Sequence, residues 1–224
     1  MIQGRVVEPT PLRILLVRHG ETDWNSSGRF QGRSDVPLNE LGLAQAEALG
    51  LALRPERLSG IYSSPLRRAL HTARIIQMHH PGLSLQVEPD LVEMDLGIFD
   101  GMQGALWVAS HPDFLRVWRE KPATLRMPGG ETLQEVQSRA LKGLMGIAAR
   151  HRPGETVLVC SHNFVILSIL CHAMGLPLDR FRKIAQANGS MNVLRYGSGE
   201  LWAEKVDDRS HLPPAPGEFG KSRP

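Results

Sequence analysis

Short apolar runs alternate with segments of helical periodicity along most of the chain. Two runs, over residues 13–17 and 156–160, are largely apolar, which is typical of strands buried on both faces of a parallel sheet. Shorter strands are predicted over residues 61–62 and 83–87. Both long runs end abruptly in polar residues, so the chain is expected to leave the sheet at those points.

Helices are predicted between the strands, because apolar residues recur there every three or four positions. The first is expected over residues 40–53 with Asn39 as its N-cap, and Pro65 is expected in the first turn of the second. Thr132 and Glu135 form a capping box that predicts the start of another helix. Two short helical pieces that end near residue 119, and an apolar helix that ends near residue 174, complete the set.

The order of these elements predicts the fold class. A closing hairpin is expected from strands over residues 193–196 and 201–205. Before it, strands that alternate with helices imply an open, mostly parallel sheet with helices on both faces. We therefore predict an α/β fold, a three-layer α/β/α sandwich with a mostly parallel central sheet.

The composition fits one globular domain. A chain of 224 residues, of which 42% are hydrophobic, can bury a full core, and a single domain over residues 1–206 is predicted. Residues 207–224 are rich in proline and glycine and are predicted to form a flexible tail. The two cysteines, Cys160 and Cys171, are too few for a disulfide framework, so buried free thiols are expected.

Charge and hydropathy exclude several classes of protein. The formal net charge of +3 suits a phosphorylated or acidic ligand, but it is far below the signature of a nucleic-acid-binding protein. No stretch approaches the roughly 18 uninterrupted apolar residues of a membrane-spanning helix, so no membrane partner is expected. Residues 1–9 lack the apolar core and cleavage site of a signal peptide, and a cytoplasmic location is expected.

Candidate chemistry lies where the two long runs end. Arg18 and His19 follow the first run, and His162 follows the second. Ligands in such sheets bind beyond the carboxyl ends of the strands, so both histidines should lie at one edge. The strand at 61–62 leads to a helix that bears Arg67 and Arg68. Two histidines and at least two arginines are therefore expected around one pocket.

This set of side chains suits phosphoryl transfer. Arginines present planar, permanently charged donors that match phosphate oxygens. Cations around an imidazole depress its pKa and keep it nucleophilic near neutral pH. Phosphoryl transfer asks mainly for alignment and charge stabilisation, so neither a metal nor another cofactor is expected. An acid must still protonate the leaving alkoxide, and Glu93 and Asp95 are both candidates.

A series of short motifs resembles the histidine phosphatase superfamily, which includes the cofactor-dependent phosphoglycerate mutases. The segment LVRHGETDWN, residues 16–25, closely resembles the signature of that family. Further matches follow in the expected order, and the resemblance covers roughly residues 13–201. They are GRFQG at 28–32, SSPLRRALHTA at 63–73, LVE at 91–93, GGET at 129–132 and VCSH at 159–162.

The resemblance implies a phosphoglycerate mutase-like fold and a role for each matched residue. It makes His19 the nucleophile, which forms a phosphohistidine intermediate, and Glu93 the general acid that later activates water. Arg18, Arg68 and His162 would hold the transferring phosphoryl group. The arginine of the family directly precedes an alanine, which selects Arg68 over its neighbour. The helical insertion at about residues 101–127 would form a substrate lid.

Other matched positions are expected to line the pocket. Asn25 would contact the same phosphoryl group, Gln31 and Gly32 match a substrate-side position of the phosphatase branch, and Thr22 would line the pocket. Asn163 departs from the family, which usually has glycine after its second histidine. Its side chain either narrows the pocket or donates a hydrogen bond to phosphate.

Three departures favour hydrolysis over isomerisation. Mutases resemble NERHYG around the acid, whereas this chain has VEMDLG, and Met94 and Leu96 cannot grip a second acidic group. Glu120 stands where a mutase has the second arginine of its Trp-Arg-Arg segment, and Arg33 stands where it has tryptophan. Each change removes a feature that a bisphosphate would require.

The sequence therefore predicts a metal-independent phosphomonoester hydrolase that acts on a small phosphorylated metabolite. The alternative is a cofactor-dependent phosphoglycerate mutase. A non-catalytic phosphate-binding module is a third alternative, which the intact set of His19, Glu93 and His162 disfavours. The identity of the substrate, the role of the tail and the oligomeric state are left open, with a homodimer among the possible states.

Overall fold

The computed structural model describes residues 10–212. The expectation of no signal peptide in residues 1–9, and the prediction of a flexible tail over residues 213–224, lie outside the described residues. The described chain is ordered past the predicted boundary at residue 206, because the last strand continues to Asp208. The ring of His211 then donates from Nε2 to the carbonyl of Gly189 at 2.9 Å, which attaches the following turn to the domain.

The described chain forms six strands and seven α-helices. In chain order they are β1 Leu12–Arg18, α1 Asp23–Ser26, α2 Glu40–Leu53, β2 Gly60–Ser63, α3 Arg67–Met78, β3 Leu85–Val87, α4 Gly104–Ser110, α5 Pro112–Glu120, α6 Leu133–Ala148, β4 Thr156–Ser161, α7 Asn163–Ala173, β5 Met191–Gly197 and β6 Glu200–Asp208. Short 3-10 helices occur at Pro89–Leu91, Gly97–Phe99 and Leu178–Lys183.

The strands form one sheet in the order β3-β2-β4-β1-β5-β6. The pairs β2–β3, β2–β4 and β1–β4 are parallel, whereas β1–β5 and β5–β6 are antiparallel. The predicted mostly parallel sheet is confirmed, and the predicted hairpin forms its antiparallel edge. The hairpin turn consists of Ser198 and Gly199, whose φ values of 53° and 82° suit a two-residue turn of the primed type.

Helices cover both faces of the sheet, as the predicted three-layer sandwich requires. Side chains alternate along each strand, so successive residues of β1 enter different cores. Leu15 and Val17 pack with α2 and α3, whereas Ile14 and Leu16 pack with α6 and α7. Both cysteines are buried and free, as predicted. Among residues 10–212, no helix is long and apolar enough to cross a membrane.

Helix starts agree with the predicted caps at two places and differ at one. Asn39 accepts from the amide of Gly42 at the start of α2, and the Thr132–Glu135 capping box is present. Pro65 is not in the first turn of α3, since that helix begins at Arg67. The prediction was wrong because a residue remote in sequence caps the helix. The carboxylate of Asp35 accepts from the amide of Arg67 at 2.7 Å.

Candidate active site

The register of the two central strands brings the two histidines together. Arg18 at the end of β1 pairs with Ser161 at the end of β4. His19 and His162 directly follow these two strand ends. The amide of His19 donates to the carbonyl of Ser161 at 3.1 Å. Both histidines are buried, and their ring centroids lie 5.1 Å apart. The predicted juxtaposition at one sheet edge is therefore present.

The hydrogen bonds of His19 define which ring nitrogen is free. Its Nδ1 lies 2.6 Å from the carbonyl oxygen of Gly20. A carbonyl can only accept, so Nδ1 carries the proton and Nε2 keeps its lone pair. Burial, together with the charges of Arg68 and Arg18, lowers the pKa of His19 well below its usual value. The ring is thus neutral at physiological pH, with Nε2 available as a nucleophile.

His162 is neutral for the same reasons and is oriented at both nitrogens. Its Nδ1 accepts from Nε of Arg68 at 3.2 Å, so Nε2 carries the proton and donates to Oγ of Ser64 at 2.6 Å. Burial and then the charge of Arg68 lower its pKa well below the usual value. The orienting role of Ser64 was missed, although a buried serine directly after β2 was a local signal.

Arg68 is fully buried and is held by three of its N–H groups. Besides the bond to His162, Nη1 donates to the carbonyl of Ser34 and Nη2 to that of Gly32, each at 2.8 Å. A guanidinium has five N–H donors, so two remain for a phosphate oxygen. Burial lowers the pKa of Arg68 to about 10, which leaves it charged at neutral pH. Arg67 is exposed, so only the second arginine of the motif reaches the histidines.

Arg18 offers an unsatisfied donor at the same place. Its Nη1 donates to the carbonyl of Gln186 at 2.5 Å, while its buried Nε has no hydrogen-bond partner among residues 10–212. Burial lowers the pKa of Arg18 to about 10, so it too stays charged. Buried N–H groups without partners are rare, and an anion would satisfy this one.

The polar residues after β1 form a connected group. Thr22 caps α1, and its hydroxyl donates to Oε1 of Gln31 at 2.9 Å. That bond leaves the buried Nε2 of Gln31 as a second donor without a partner in the described structure. Oδ1 of Asn25 accepts from Nδ2 of Asn188 at 3.1 Å, so the amide nitrogen is the donor end of Asn25. No sequence motif marked Asn188, which also lies 3.4 Å from the His19 carbonyl oxygen.

Gly32 and Asn163 are two further positions that were predicted to line the pocket. The amide of Gly32 donates to Asp100 at 2.9 Å while its carbonyl holds Arg68, so this glycine supports the arginine directly. Asn163 is the first residue of α7 and is half-buried. Its effect on the pocket stays a prediction.

Glu93 lies at the site in a state that suits an acid. It is 2% exposed, and its carboxyl oxygens accept from the amides of Met94 at 2.8 Å and Phe164 at 3.2 Å. Burial raises the pKa of Glu93, although both amides and Arg68 act in the opposite direction. A raised carboxyl pKa favours a proton donor at neutral pH. The other candidate, Asp95, is half-buried and instead lies 3.5 Å from Arg33 in an ion pair.

An ion pair that the sequence analysis missed holds the loop that carries Glu93. Arg139 of α6 donates to both carboxyl oxygens of Glu131, at 2.9 and 3.0 Å. The same guanidinium donates to three carbonyls of the loop, those of Asp90, Val92 and Glu93. Glu131 in turn accepts from the amide of Asp95 at 2.9 Å. The GGET motif marked Glu131, but nothing in the sequence marked its partner.

The two residues that favour hydrolysis over isomerisation, Met94 and Leu96, are buried apolar side chains that follow Glu93 in the chain. Met94 is fully buried and Leu96 is 2% exposed. Helices α4 and α5 lie within residues 101–127, and their Trp107 and Trp118 line a small apolar space together with Leu96. The role of this insertion as a substrate lid stays a prediction. Within the described part of the chain, no group of three or more His, Cys, Asp or Glu residues could hold a metal ion.

Comparison with known proteins agrees with this geometry. Residues 14–209 match the sequence model of the histidine phosphatase superfamily (branch 1). Phosphoserine phosphatase 1 of Hydrogenobacter thermophilus is 33% identical over 208 residues, which cover 93% of this chain and 96% of the relative. The probable phosphoglycerate mutase GpmB of Yersinia pestis is 31% identical over 213 residues, which cover 90% and 95% of the two chains.

Solved structures show the same architecture. Bacillus stearothermophilus YhfR superposes with a TM-score of 0.84 at 30% identity, covering 90% of this chain and 100% of that one. A mycobacterial glucosyl-3-phosphoglycerate phosphatase, solved with VO3, superposes with a TM-score of 0.78 at 30% identity, covering 87% and 98%. Proteins with phosphatase names and a protein with a mutase name are thus similar to this chain to nearly the same degree.

Proposed function

Because the chain belongs to branch 1 of the histidine phosphatase superfamily, we propose that it is a metal-independent phosphomonoester hydrolase that works through a phosphohistidine at His19. Its substrate is a small phosphorylated metabolite. The relatives and structural neighbours named phosphatases support phosphatase activity. The observation that carries the proposal is the state of His19, a buried neutral ring with a free Nε2 that is close enough to two charged arginines for both to lower its pKa.

In the proposed first step, Nε2 of His19 attacks the phosphorus atom of the ester. The bond from phosphorus to the alcohol oxygen breaks, and Glu93 gives its proton to that oxygen as the alcohol leaves. Arg18 and Arg68 stabilise the charge on the transferring oxygens, and the proton on Nε2 of His162 is held by Ser64.

In the second step, the carboxylate of Glu93 takes a proton from a water molecule. That water attacks the phosphohistidine, the phosphorus–nitrogen bond breaks, and inorganic phosphate leaves. Both residues then return to their starting protonation states, so no net proton is stored in the enzyme.

Phosphoglycerate mutase activity is the second candidate, since the Yersinia relative carries that name. A mutase must hold a second acidic group beside the transferred phosphate. Met94 and Leu96 are buried apolar side chains at the positions concerned, and neither can bind a carboxylate or a second phosphate. Hydrolysis is therefore the better-supported function.

Phosphate release from a panel of phosphomonoesters in EDTA tests the proposal. A parallel assay follows 3-phosphoglycerate with a 2,3-bisphosphoglycerate primer. Release without isomerisation is expected. Isomerisation without net release would contradict hydrolysis, and absence of both reactions would contradict the proposed activity as a whole. The cytoplasmic location stays a prediction, and the oligomeric state and the role of the tail stay open.

A further inference from the structure

Two backbone carbonyls hold the outer nitrogens of Arg68. Nη1 donates to the carbonyl of Ser34 and Nη2 to that of Gly32, each at 2.8 Å. Nε is already bonded to His162, so these two carbonyls fix the plane of the rigid guanidinium. The position of the loop at residues 32–34 therefore decides where the two remaining N–H groups of Arg68 point.

The carboxylate of Asp100 binds the same two residues of this loop. Its Oδ1 accepts from the amide of Gly32 at 2.9 Å. Its Oδ2 accepts from the amide of Ser34 at 2.9 Å and from the hydroxyl of Ser34 at 3.0 Å. Hydrogen bonds to an ionised acceptor are stronger than those between neutral groups, so a single side chain restrains both ends of the loop.

Asp100 acts on the arginine through the loop and through its charge. Within the described part of the chain, all three hydrogen bonds of its side chain go to residues 32–34. Burial lowers the pKa of Arg68, whereas the charges of Glu93, Asp35 and Asp100 act in the opposite direction. The carboxylate therefore lies close enough to favour the charged form of the guanidinium without bonding to it.

Two backbone hydrogen bonds hold the start of the loop independently of this carboxylate. Gly101 donates to the carbonyl of Phe30, and Phe30 donates to the carbonyl of Met102, each at 2.9 Å. Neither bond reaches residues 32–34. Loss of the Asp100 carboxylate would therefore free the two carbonyls without separating the two chain segments.

Resting on the proposed hydrolysis, we infer that Asp100 is a positioning residue, which orders Gly32 and Ser34 so that the two free N–H groups of Arg68 meet the oxygens of the transferring phosphoryl group. It touches neither the substrate nor the reacting atoms. Its removal should weaken the binding of the phosphoryl group whatever alcohol is attached.

Asp100→Ala tests this role through the binding of inorganic phosphate, measured by calorimetry in EDTA. The Kd for phosphate should rise by about 10-fold, because the donors of Arg68 lose their alignment. A fold that was merely destabilised would lower the number of binding sites and leave Kd unchanged. Glu47→Gln, at an exposed residue of α2, is the control and should keep the Kd of the unaltered protein.

Asp100→Asn keeps the test decisive if the alanine variant folds poorly. The amide is nearly the same size, but its NH2 group faces at least one N–H or O–H donor of the loop, so Kd should again rise. In both variants kcat/KM should fall to the same extent for benzyl phosphate and 4-nitrophenyl phosphate, because Arg68 acts on the transferred group rather than on the leaving oxygen.

A double-mutant cycle with Arg68→Lys shows whether Asp100 acts through the arginine. Lysine lacks the planar fork that the two loop carbonyls hold, so adding Asp100→Ala to Arg68→Lys should change the Kd for phosphate by less than about twofold.

An unchanged Kd in both Asp100 variants, or a 10-fold loss that persists in full beside Arg68→Lys, would overturn the inference and leave the hydrolase standing. Phosphate binding that depends on Asp100, in a protein that releases no phosphate from any ester, would support the positioning role and refute the hydrolase.

Discussion

Two neighbouring regions of the molecule, the phosphate end and an aromatic cluster, are built by different physical means. At the phosphate end, defined by Arg18, His19, Arg68 and His162, each of these side chains makes a directional hydrogen bond. In the aromatic cluster of Phe30, Phe99, Trp107, Trp118 and Phe164, rings meet edge to face at centroid distances of 4.8 to 6.2 Å. Hydrogen bonds specify atom positions, whereas ring packing specifies mainly shape and polarity. The phosphate end therefore has one defined geometry, whereas the aromatic cluster mainly defines a buried apolar shape.

The largest loss of activity is expected when the nucleophile of the phosphate end is removed. His19→Ala removes Nε2, the only protein atom proposed to bond to phosphorus, so kcat should fall by at least about 1,000-fold for every ester. Phosphate release and trapping of the phosphoenzyme both measure this. His71→Ala, an exposed histidine of α3, is the control and should keep full activity. A His19→Ala variant with near-normal turnover would rule out the mechanism.

The next largest effect is expected at the proposed acid, Glu93. Glu93→Gln should lower kcat/KM for benzyl phosphate by about 100- to 10,000-fold, because the leaving alkoxide loses its proton donor. The loss in kcat/KM should be much smaller for 4-nitrophenyl phosphate, whose leaving group is a weak base, since kcat/KM excludes the later attack of water on the phosphohistidine. Equal losses for both esters would show that Glu93 does not act on the leaving oxygen.

The pH profile sharpens the assignment of Glu93 and His19. Burial raises the pKa of Glu93, so its acid form persists above the ordinary carboxyl range and is lost as pH increases through that raised value. Burial and the arginines lower the pKa of His19, so the ring stays neutral until the pH is well below 6.5. A bell-shaped profile is expected, and Glu93→Gln should remove its basic limb. A basic limb that survives in that variant would assign it to another group.

A smaller effect should follow from loosening the loop that carries the acid. Arg139→Met removes the bonds to Glu131 and to three loop carbonyls, so kcat/KM for benzyl phosphate should fall by about 10- to 100-fold through misplacement of Glu93. The fall should again be smaller with 4-nitrophenyl phosphate, which a merely destabilised fold would not produce. Lys142→Met breaks only an exposed pair with Asp90, so it should change kcat/KM for either ester by less than about twofold.

The smallest effect is expected at Ser64. Ser64→Ala removes the acceptor of the proton on Nε2 of His162, so kcat/KM should fall by about 3- to 10-fold for all esters alike. Ser138→Ala on the exposed side of α6 is the control. A loss confined to the benzyl esters would place Ser64 at the alcohol rather than at the phosphate end.

The same contrast explains what could be predicted from the sequence. Apolar runs that end in Arg18-His19 and Ser161-His162 predict buried parallel strands whose carboxyl ends carry the chemistry, and the β1–β4 register brings these residues together. The capping box at Thr132 was equally local and was confirmed. Such features depend on residues close together in sequence.

Contacts between residues far apart in sequence escaped prediction. Ser64 contacts His162, Asn188 contacts Asn25, and Asp35 rather than Pro65 sets the start of α3. No periodicity or short motif encodes such pairs, because they form only after the sheet has assembled. The conformation of α4 and α5, and with it the aromatic cluster, depends on ring packing among several elements, which no local pattern predicts.

Rapid quenching of a single turnover in EDTA tests the central claim most directly. With a phosphorus-labelled benzyl ester, the account predicts that label appears on His19 as the alcohol is released, and that water then frees it as inorganic phosphate. Peptide mapping identifies the labelled residue. Release of phosphate with no labelled enzyme, or label on a residue other than His19, would contradict the account.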